Sequence, residues 1–510
     1  MELLIDQFFV AIQGSNLLVL FLSTVAGILI GAIPGLTVNM AVALSIPLTI
    51  HMSLAQALCM IFAIYVSGIY GGSVSAILVN APGTPAAAAT TLDGYPMTQQ
   101  GKAGKALKMA LFASFIGGIM SIIILVLVAK NLAAVALKFG PAERTTLMVF
   151  ALTIVGVLSG RSMIKGLLSG AIGLLLATVG ADPMLAIPRF TFGMMELEEG
   201  LGFIPVLIGL FAVSEMLVQA EDRMQARIRA SYKESSDRAE DSRLTRKDIL
   251  LSWKTIIRSG FLGAFIGCLP GIGATVACFF GYGEAKRAAK DPERFGKGTV
   301  EGVAAAESAN NAVAGATLIP LLALSIPGDA LTAILYGALL IQGVQTGPLI
   351  FQYQLDAVYL IYITLTLANI FMLATAASFM SFFKRVAEVP RRILFPIIFI
   401  FCVVGSFAMR NSTTDIYIMM GMGVMGYFLR KFQIPLAPLL IGYILANPFE
   451  EALRQALVGS EGSLAIFVVK PIAAGFLFLT ILAIWIMIRR TLRAKREATE
   501  SGEDEEAELL

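Results

Sequence analysis

Long apolar stretches recur from one end of the chain to the other, and they constrain its fold more than any other feature. Each is about 20 residues long, the length that an α-helix needs to cross the hydrocarbon core of a bilayer. The sequence is 57% hydrophobic and 14% charged, well below the roughly 25% charged residues of soluble domains. Transmembrane β-barrels show short alternating segments instead. The pattern predicts an all-α polytopic membrane protein, surrounded by membrane lipid, with about 11–12 membrane segments.

The charged residues are concentrated in two hydrophilic segments. One is a mixed-charge linker at 221–258, and the other is a tail at 489–510 that is first basic and then acidic. They divide the chain into a first membrane half at 1–220, the linker, a second membrane half at 259–488 and the tail. The net charge of +3 is too small to indicate a nucleic-acid partner. Glu2 and Asp6 stand where a cleavable signal peptide would be positive, so none is expected.

The two membrane halves share motifs in the same order. The segment GILIGAIPGLTVNMA at 27–41 matches GAFIGCLPGIGATVA at 263–277 in six of fifteen positions. A second pair follows, NAPGTPAAAATT at 80–91 and SIPGDALTAILYG at 325–337. Because two motif pairs keep their order and spacing, we interpret the halves as repeats rather than as chance similarity between Gly- and Ala-rich helices.

Basic residues follow these motifs in opposite places in the two halves. In the first half, 46–58 contains no Lys or Arg and the second motif is followed by Lys102, Lys105 and Lys108; in the second half, 286–297 is basic and 343–357 is not. Cytoplasmic loops carry the excess of Lys and Arg, so equivalent loops are expected on opposite sides of the membrane. This predicts two inverted-topology repeats, common in secondary transporters, with the linker and the C-terminus in the cytoplasm.

Each repeat is predicted to contain a re-entrant hairpin and a broken transmembrane helix. The hairpins are placed at 15–50 and 259–283, and the broken helices at 54–97 and 302–343. Whether the first hairpin is instead a single span is left open. Lys130, Lys138 and Arg144 fall outside on this path, against the charge rule.

Four Pro-Gly pairs interrupt the apolar segments at matching places in the two halves. Proline breaks a helix, and freed backbone groups at membrane depth are tolerated only inside protein or beside a water-filled cavity. Residues after each break look like helix starts, whose free N–H groups attract anions. Glycines are expected to let the backbone approach a ligand closely, with packing kinks and close helix packing as the alternative. The predicted substrate-binding residues are Pro34, Gly35, Thr37, Asn39, Pro82, Gly83, Thr84, Pro270, Gly271, Gly273, Thr275, Pro327 and Gly328.

Polar residues inside the apolar segments are the candidates for a coupling-ion site. Such groups are expensive in a membrane and are therefore functional hypotheses by default, although a polar helix-helix contact or, for Asp329, a helix cap is the plainer alternative. The candidates are Glu307, Asn310, Asn311, Asp329 and Asp93.

The sequence contains no pattern of catalytic residues that would indicate an enzyme. His51 is the single histidine, so His-based metal sites and Ser-His catalysis are not expected. The nucleophile-elbow and Walker A patterns are missing, and the four cysteines are scattered singly. We expect no catalytic residues, no bound metal and no organic cofactor.

The motifs resemble those of the large membrane subunit of tripartite tricarboxylate transporters, the TctA type. The resemblance lies in Gly31-Ala-Ile-Pro-Gly35, Tyr70-Gly-Gly-Ser73 and the string from Asn80 to Pro96, and in the second half in Leu269–Thr275, Glu301–Asn311 and Ile326-Pro-Gly328. Asp329 and Asn39 depart from the residues that we expect at those places.

The resemblance implies a multi-pass permease of the bacterial inner membrane that works with a small membrane subunit and a periplasmic solute-binding protein. It implies uptake of tricarboxylates or related carboxylates by symport with protons or sodium. A homodimer is expected by analogy with other hairpin-bearing transporters. A channel built around broken helices and a membrane-embedded enzyme are the alternatives, and saturable uptake that requires a binding protein would separate the first of these.

Overall fold

The computed structural model describes residues 2–33, 35–158, 162–221, 243–380 and 391–501. Pro34, most of the linker predicted at 221–258 and the end of the predicted tail lie outside these ranges. The described residues are nearly all helical, apart from one short antiparallel pair of strands. Eight described helices are long and apolar enough to cross a membrane, and four shorter apolar helices accompany them. The prediction of an all-helical polytopic membrane protein is confirmed, whereas the number of 11–12 membrane segments stays a prediction.

Ten helices and two strands make up the described part of the first half. They are α1 (Glu2–Ala11), α2 (Gly14–Ala32), α3 (Val38–Thr49), α4 (Leu54–Val79), α5 (Ala88–Gln99), α6 (Ala103–Ala136), α7 (Pro141–Leu158), α8 (Met163–Leu176), β1 (Gly180–Ala181), β2 (Pro188–Arg189), α9 (Phe203–Ile208) and α10 (Ser214–Glu221). A 3-10 turn at Pro85–Ala87 precedes α5, a second at Met195–Leu197 follows β2, and a π-helical turn at Gly209–Val213 joins α9 to α10.

The second half contains twelve helices within the described ranges. They are α11 (Arg246–Gly267), α12 (Gly273–Ala288), α13 (Val300–Ala316), α14 (Leu318–Leu324), α15 (Ala330–Ile341), α16 (Ile350–Tyr353), α17 (Leu355–Ser378), α18 (Arg391–Ala408), α19 (Thr413–Lys431), α20 (Leu436–Gly459), α21 (Ile466–Val469) and α22 (Pro471–Ser501), with a 3-10 turn at Pro292–Arg294.

Glycines let the first arm of each predicted hairpin lie directly against the long helix that follows. In the first half α2 packs along α4, and a Cβ placed on Gly31 would lie 2.2 Å from the carbonyl oxygen of Gly68. In the second half α11 packs along α13, and a Cβ on Gly263 would lie 2.3 Å from the carbonyl oxygen of Ala309. Small residues permit this approach in membrane helices, so each of the two similar segments contributes a glycine to a close helix contact, although Gly31 and Gly263 are not aligned with each other.

Loops of like charge lie together at the two ends of the helices. The Gln100 side chain donates from Nε2 to the carbonyl oxygen of Lys297 at 2.7 Å, and Lys105 forms an ion pair with Asp248 at 2.8 Å. At the other end, Nε2 of Gln342 donates to the carbonyl oxygen of Thr49 at 2.8 Å. The basic loops of the two halves are therefore neighbours, and so are the two loops that lack Lys and Arg.

Ion pairs hold the segment between α8 and α9 against α20. Arg189 contacts both carboxylate oxygens of Glu450, at 2.9 and 3.2 Å, and Arg454 pairs with Asp182 at 2.8 Å. The backbone N–H groups of Leu185 and Met184, together with Arg454, lower the pKa of Asp182 to about 2. Asp182 is therefore ionised at neutral pH, and the pairing keeps this segment beside α20.

Candidate functional site

The first broken helix ends and restarts around Pro82 and Gly83. Asn80, which ends α4, has a left-handed backbone (φ 54°, ψ 30°). Thr84 then caps the following turn, because its side chain accepts a hydrogen bond from the Ala87 N–H at 3.2 Å, and a proline is the first residue of that turn. The helix start predicted at Thr84 is confirmed. Threonine is a good cap because its oxygen binds an N–H that has no partner within the helix.

The second broken helix repeats this geometry around Pro327 and Gly328. Ser325 ends α14 with a left-handed backbone (φ 58°, ψ 27°). Asp329 caps α15 in a reciprocal arrangement: the Thr332 N–H donates to Asp329 Oδ1 at 2.8 Å, and the Asp329 N–H donates to Thr332 Oγ1 at 2.8 Å. The alternative reading of Asp329 as a helix cap is confirmed. Its place as a coupling residue stays a prediction.

The two predicted hairpin tips differ in how the second arm begins. Thr37 caps α3 by accepting from the Met40 N–H at 3.2 Å, with Asn39 in the first turn. No side chain caps α12, which begins at Gly273 with open space beside its Cα and with Thr275 half-buried in the first turn. The first N–H groups of α12 are therefore left without a side-chain partner.

Contacts across the halves bring the breaks into one region. The Gly271 N–H beside Pro270 donates to the carbonyl oxygen of Gly328 at 2.6 Å, which joins the second tip to the second break. The start of α12 packs on the turn after the first break, with Ala274 against Ala86 and its neighbours. The second arm of the other predicted hairpin, α3, packs on α15, the helix that follows the second break. Each predicted hairpin thus touches the broken helix of the opposite half.

Glu307 is a fully buried carboxyl group beside this region. Its side chain, 0% exposed, accepts hydrogen bonds from Ser73 at 2.6 Å, from Ser114 at 3.1 Å and from Thr90. The three hydroxyls come from α4, α6 and α5. Because each can donate to a carboxylate and accept from a carboxylic acid, this cage can satisfy either protonation state.

Two asparagines continue the polar face of α13. Asn310 is 1% exposed, and neither its amide nitrogen nor its amide oxygen has a hydrogen-bond partner. Asn311 donates to the Glu307 carbonyl oxygen at 3.3 Å, and its own amide oxygen has no partner. A buried amide without partners costs about 1–3 kcal/mol, so Asn310 is the group most in need of a ligand.

The neighbours of Asn310 place it at the breaks. One helical turn before it, Ala306 packs with Ala86 and Ala89 from the segment after the first break. One turn after it, the carbonyl oxygen of Ala314 accepts from the Tyr65 hydroxyl of α4 at 3.3 Å. Asn310 therefore faces the point where α4, α13 and the restarted first helix meet.

Asp93 is fully buried and fully occupied. Its Oδ1 accepts from the backbone N–H groups of Gly296, Gly298 and Thr299 at 2.8–3.0 Å, and Oδ2 accepts from the Tyr282 hydroxyl at 2.9 Å. This geometry favours a role in holding the segment before α13 over a role as an ion ligand. Across the described ranges, no group of three His, Cys, Asp or Glu side chains is arranged to hold a metal ion.

Gly83 and Gly271 permit close packing against protein, which is the alternative explanation for these glycines, and their predicted contact with a ligand stays a prediction. A Cβ on Gly83 would lie 2.2 Å from the Gly31 carbonyl oxygen, and a Cβ on Gly271, whose φ is +88°, would lie 2.6 Å from Val155 Cα. Both approaches are to protein backbone. A Cβ on Gly35 would likewise meet protein, the Gln219 side chain, whereas one on Gly328 would make only an ordinary contact at 3.4 Å with Thr317.

A large cleft reaches the second break from one end of the molecule. This outer cleft has a volume of about 800 Å³ and is bounded by the start of α7, the end of α14, the segment 345–354 and the middle of α20. Ser325 lies on its wall, as do Arg144 and Thr346. It therefore offers a path from the loops to the residues before Pro327.

The family model described as "Tripartite tricarboxylate transporter TctA family" matches residues 17–441. The chain belongs to this family. The TctA family is one of transporters with a small membrane subunit and a periplasmic binding partner, so this chain is the membrane component of such a system. The resemblance drawn from the Pro-Gly motifs is confirmed.

Two proteins of Agrobacterium vitis are similar to this TctA-family chain. One, described as "Uncharacterized 52.8 kDa protein in TAR-I ttuC' 3'region", is 35% identical over 494 residues, which cover 97% of each chain. The other, "Uncharacterized protein in TAR-II ttuC' 3'region", is 35% identical over 235 residues, 46% of this chain and 97% of its own. No solved structure matches this chain.

Sequence reasoning missed the hydroxyls that surround Glu307 and the arginine in the outer cleft. Ser73 and Thr90 lie inside the strings that carry the TctA resemblance, so their presence in apolar helices was a usable signal. Ser114 and Arg144 had no comparable signal, because neither is close along the chain to one of the four Pro-Gly breaks.

Proposed function

We propose that this chain is the large permease subunit of a secondary transporter that depends on a binding protein and takes up tricarboxylates or related carboxylates by symport with protons or sodium. The observation that carries the proposal is Asn310, a buried amide without partners, which lies one helical turn from the packing of α13 on the restarted first helix. Membership of the TctA family supports the transport class.

The substrate site in this proposal uses the four breaks and the helix starts beyond them. Free N–H groups at the start of α12 supply partial positive charge. Thr84, Thr37 and Asp329 cap the other three starts. The contacts of the second tip with both breaks support a single carboxylate site without a Lys or Arg inside it.

The coupling ion is assigned to the polar face of α13. Glu307 with Asn310 is the first choice, Asn311 adds an amide oxygen without a partner, and Asp329 follows. The hydroxyl cage of Glu307 supports proton exchange, while carboxylate and amide oxygens together also suit sodium. Asp93 ranks last because four donors already occupy it.

The architecture in this proposal is a pair of inverted repeats at 1–220 and 259–488 in the bacterial inner membrane, with the linker and the C-terminus in the cytoplasm. Three observations support it. The ends of α4 and α14 share a left-handed backbone, the packing of α2 on α4 resembles that of α11 on α13, and loops of like charge are neighbours.

The topology can be tested with single cysteines at matched loop positions. In a background without the four native cysteines, His51→Cys and Leu349→Cys should react with an impermeant thiol reagent added to intact cells. Gln99→Cys and Lys290→Cys should react only after the membrane is opened, because basic loops stay in the cytoplasm. Labelling of position 99 or 290 in intact cells would contradict the inverted arrangement.

The transport function can be tested by uptake of radiolabelled carboxylates in cells that carry all three components. The candidate substrate is first chosen by thermal shift of the partner binding protein against a carboxylate panel. Uptake should saturate, require the binding protein, and collapse when the proton or the sodium gradient is removed. Flux that persists without the binding protein and without either gradient would favour the channel reading and reject the proposal.

Thr84→Ala should weaken the apparent affinity for the carboxylate by about 1 kcal/mol, or roughly fivefold, because it removes the cap that orders the restarted helix. Ser53→Ala is the matched control, since Ser53 caps the far end of α4 by accepting from the Gln56 N–H at 3.4 Å. Concentration-dependent uptake measures both variants. Equal affinity in the two variants would show that the first break is not part of the substrate site.

A further inference from the structure

The outer cleft contains a basic side chain that the proposed substrate site does not use. Arg144, in the first turn of α7, is exposed on the cleft wall. The other charged residue lining this cleft is Glu451, which comes from α20. The two stand on different helices, and within the described ranges no ion pair joins them. The cleft therefore has one charge of each sign on its walls, and Arg144 is its cation.

Three basic residues near the cleft are paired with carboxylates that do not line it. Arg189 pairs with Glu450 at 2.9 Å and Arg454 with Asp182 at 2.8 Å, whereas the cleft residues on α20 are Glu451 and Gln455. Lys470 lies 3.5 Å from Glu143, the residue just before Arg144. Glu450, Asp182 and Glu143 are thus paired with other cations, whereas Glu451 and Arg144 form no ion pair within the described ranges.

The cleft also places hydroxyls between Arg144 and the second break. Thr346 Oγ1 donates to Ser325 Oγ at 3.2 Å, and both residues line the cleft. Ser325 is the left-handed residue that ends α14, just before Pro327. An anion held at Arg144 therefore has neutral donors on the way to the break. Guanidinium binds carboxylate through two parallel hydrogen bonds, and a cleft concentrates the field of such a charge.

We propose that the outer cleft is a second carboxylate site, in which Arg144 binds one carboxylate of the arriving solute before that solute reaches the breaks. This inference rests on the proposed function, because it takes the solute to be a carboxylate. It adds a basic residue to the path of the solute, outside the site formed by the breaks. Solutes with more carboxylates should depend more strongly on Arg144.

Charge replacement at one cysteine tests the proposal. In the background without the native cysteines, Arg144→Cys should lower uptake at limiting carboxylate about tenfold, the loss expected for one charge-assisted pair. The purified protein is then modified with a thiosulfonate reagent and reconstituted with its two partners. A trimethylammonium reagent should restore uptake several-fold, whereas an ethylsulfonate reagent of similar size should lower it further.

Lys130→Cys is the matched control. Lys130 is an exposed cation near the C-terminal end of α6, which borders the cleft, but Lys130 itself does not line the cleft. Neither reagent should change its uptake by more than a small factor. Saturating tricarboxylate should also slow the modification of position 144 and leave that of position 130 unchanged.

The possible outcomes distinguish a failure of this inference from a failure of the proposed function on which it rests. Equal responses of position 144 to the two reagents, or equal responses of positions 144 and 130, would overturn the role of Arg144. Failure of the unmodified protein to take up any carboxylate would instead reject the proposed function. Normal uptake with charge-dependent modification and protection at position 144 alone supports both.

Discussion

Glu307→Gln should shift the apparent affinity for the coupling ion by about 10–100-fold, the effect of losing a charged hydrogen-bonding partner worth about 1.5–3 kcal/mol. The amide keeps the shape of the side chain and can still bond to the hydroxyls of Ser73 and Ser114. It cannot gain or lose a proton, and it cannot give a cation a full negative charge. We therefore expect a flattened pH or sodium dependence of uptake in a protein that still folds.

Glu301→Gln is the control for this variant. Glu301 lies in the first turn of the same helix, α13, and is half-buried away from the hydroxyl cage. Uptake is measured across a pH series and a sodium series at constant membrane potential. An ion dependence of Glu307→Gln that matches both the wild type and Glu301→Gln would place the coupling site elsewhere, with Asp329 as the next residue to change.

Gly83→Val should abolish the folded protein rather than only its transport. A side chain at this position would collide with the backbone of Gly31 and of Gly72, at 2.2 and 2.8 Å. Overpacking in a core costs about 1–3 kcal/mol and occasionally more, and backbone cannot rotate away as a flexible side chain can. The expected result is loss of the monodisperse peak in fluorescence-detected size exclusion and a fall in the melting temperature.

Gly328→Ala is the informative partner, because its methyl group fits at 3.4 Å from Thr317. This variant should fold as well as the wild type, so that any loss of uptake reports on the second break. A Gly83→Val protein with normal melting would contradict the close packing of α2, α4 and the first break. Gly271→Val should behave like Gly83→Val, since its positive φ adds strain to the collision.

Local chemistry made much of this fold predictable. The helix start after Thr84 was predicted from Thr84 and Pro85, and a helix cap was one of the two interpretations of Asp329, because each feature depends on residues within one turn. The pairing of the halves as inverted repeats, which rests on the order and spacing of their motifs, stays a prediction. The family followed from strings such as Asn80–Pro96.

Contacts between segments that lie far apart along the chain could not be predicted from the sequence. The role of Gly83 depends on Gly31, and that of Glu307 on Ser73 and Ser114, which lie on other helices. In a sequence, a glycine needed for packing cannot be distinguished from a glycine that contacts a ligand, because neither has a side chain. Arg144 even counted against the predicted path, since a cation outside the cytoplasm breaks the charge rule. The proposed carboxylate site in the outer cleft would account for that exception.

The hydrogen bonds of Asp93 limit which parts of the protein can move separately. This residue of α5, in the first half, holds three backbone N–H groups just before α13, in the second half, and Glu307 ties α13 back to α4, α5 and α6. Separating these helices would leave the buried carboxyl groups of Asp93 and Glu307 without their hydrogen-bond donors. If a transport cycle shifts the breaks across the membrane, we therefore expect α4, α5, α6 and α13 to move together, with the hinges in the segments that connect them to their surroundings.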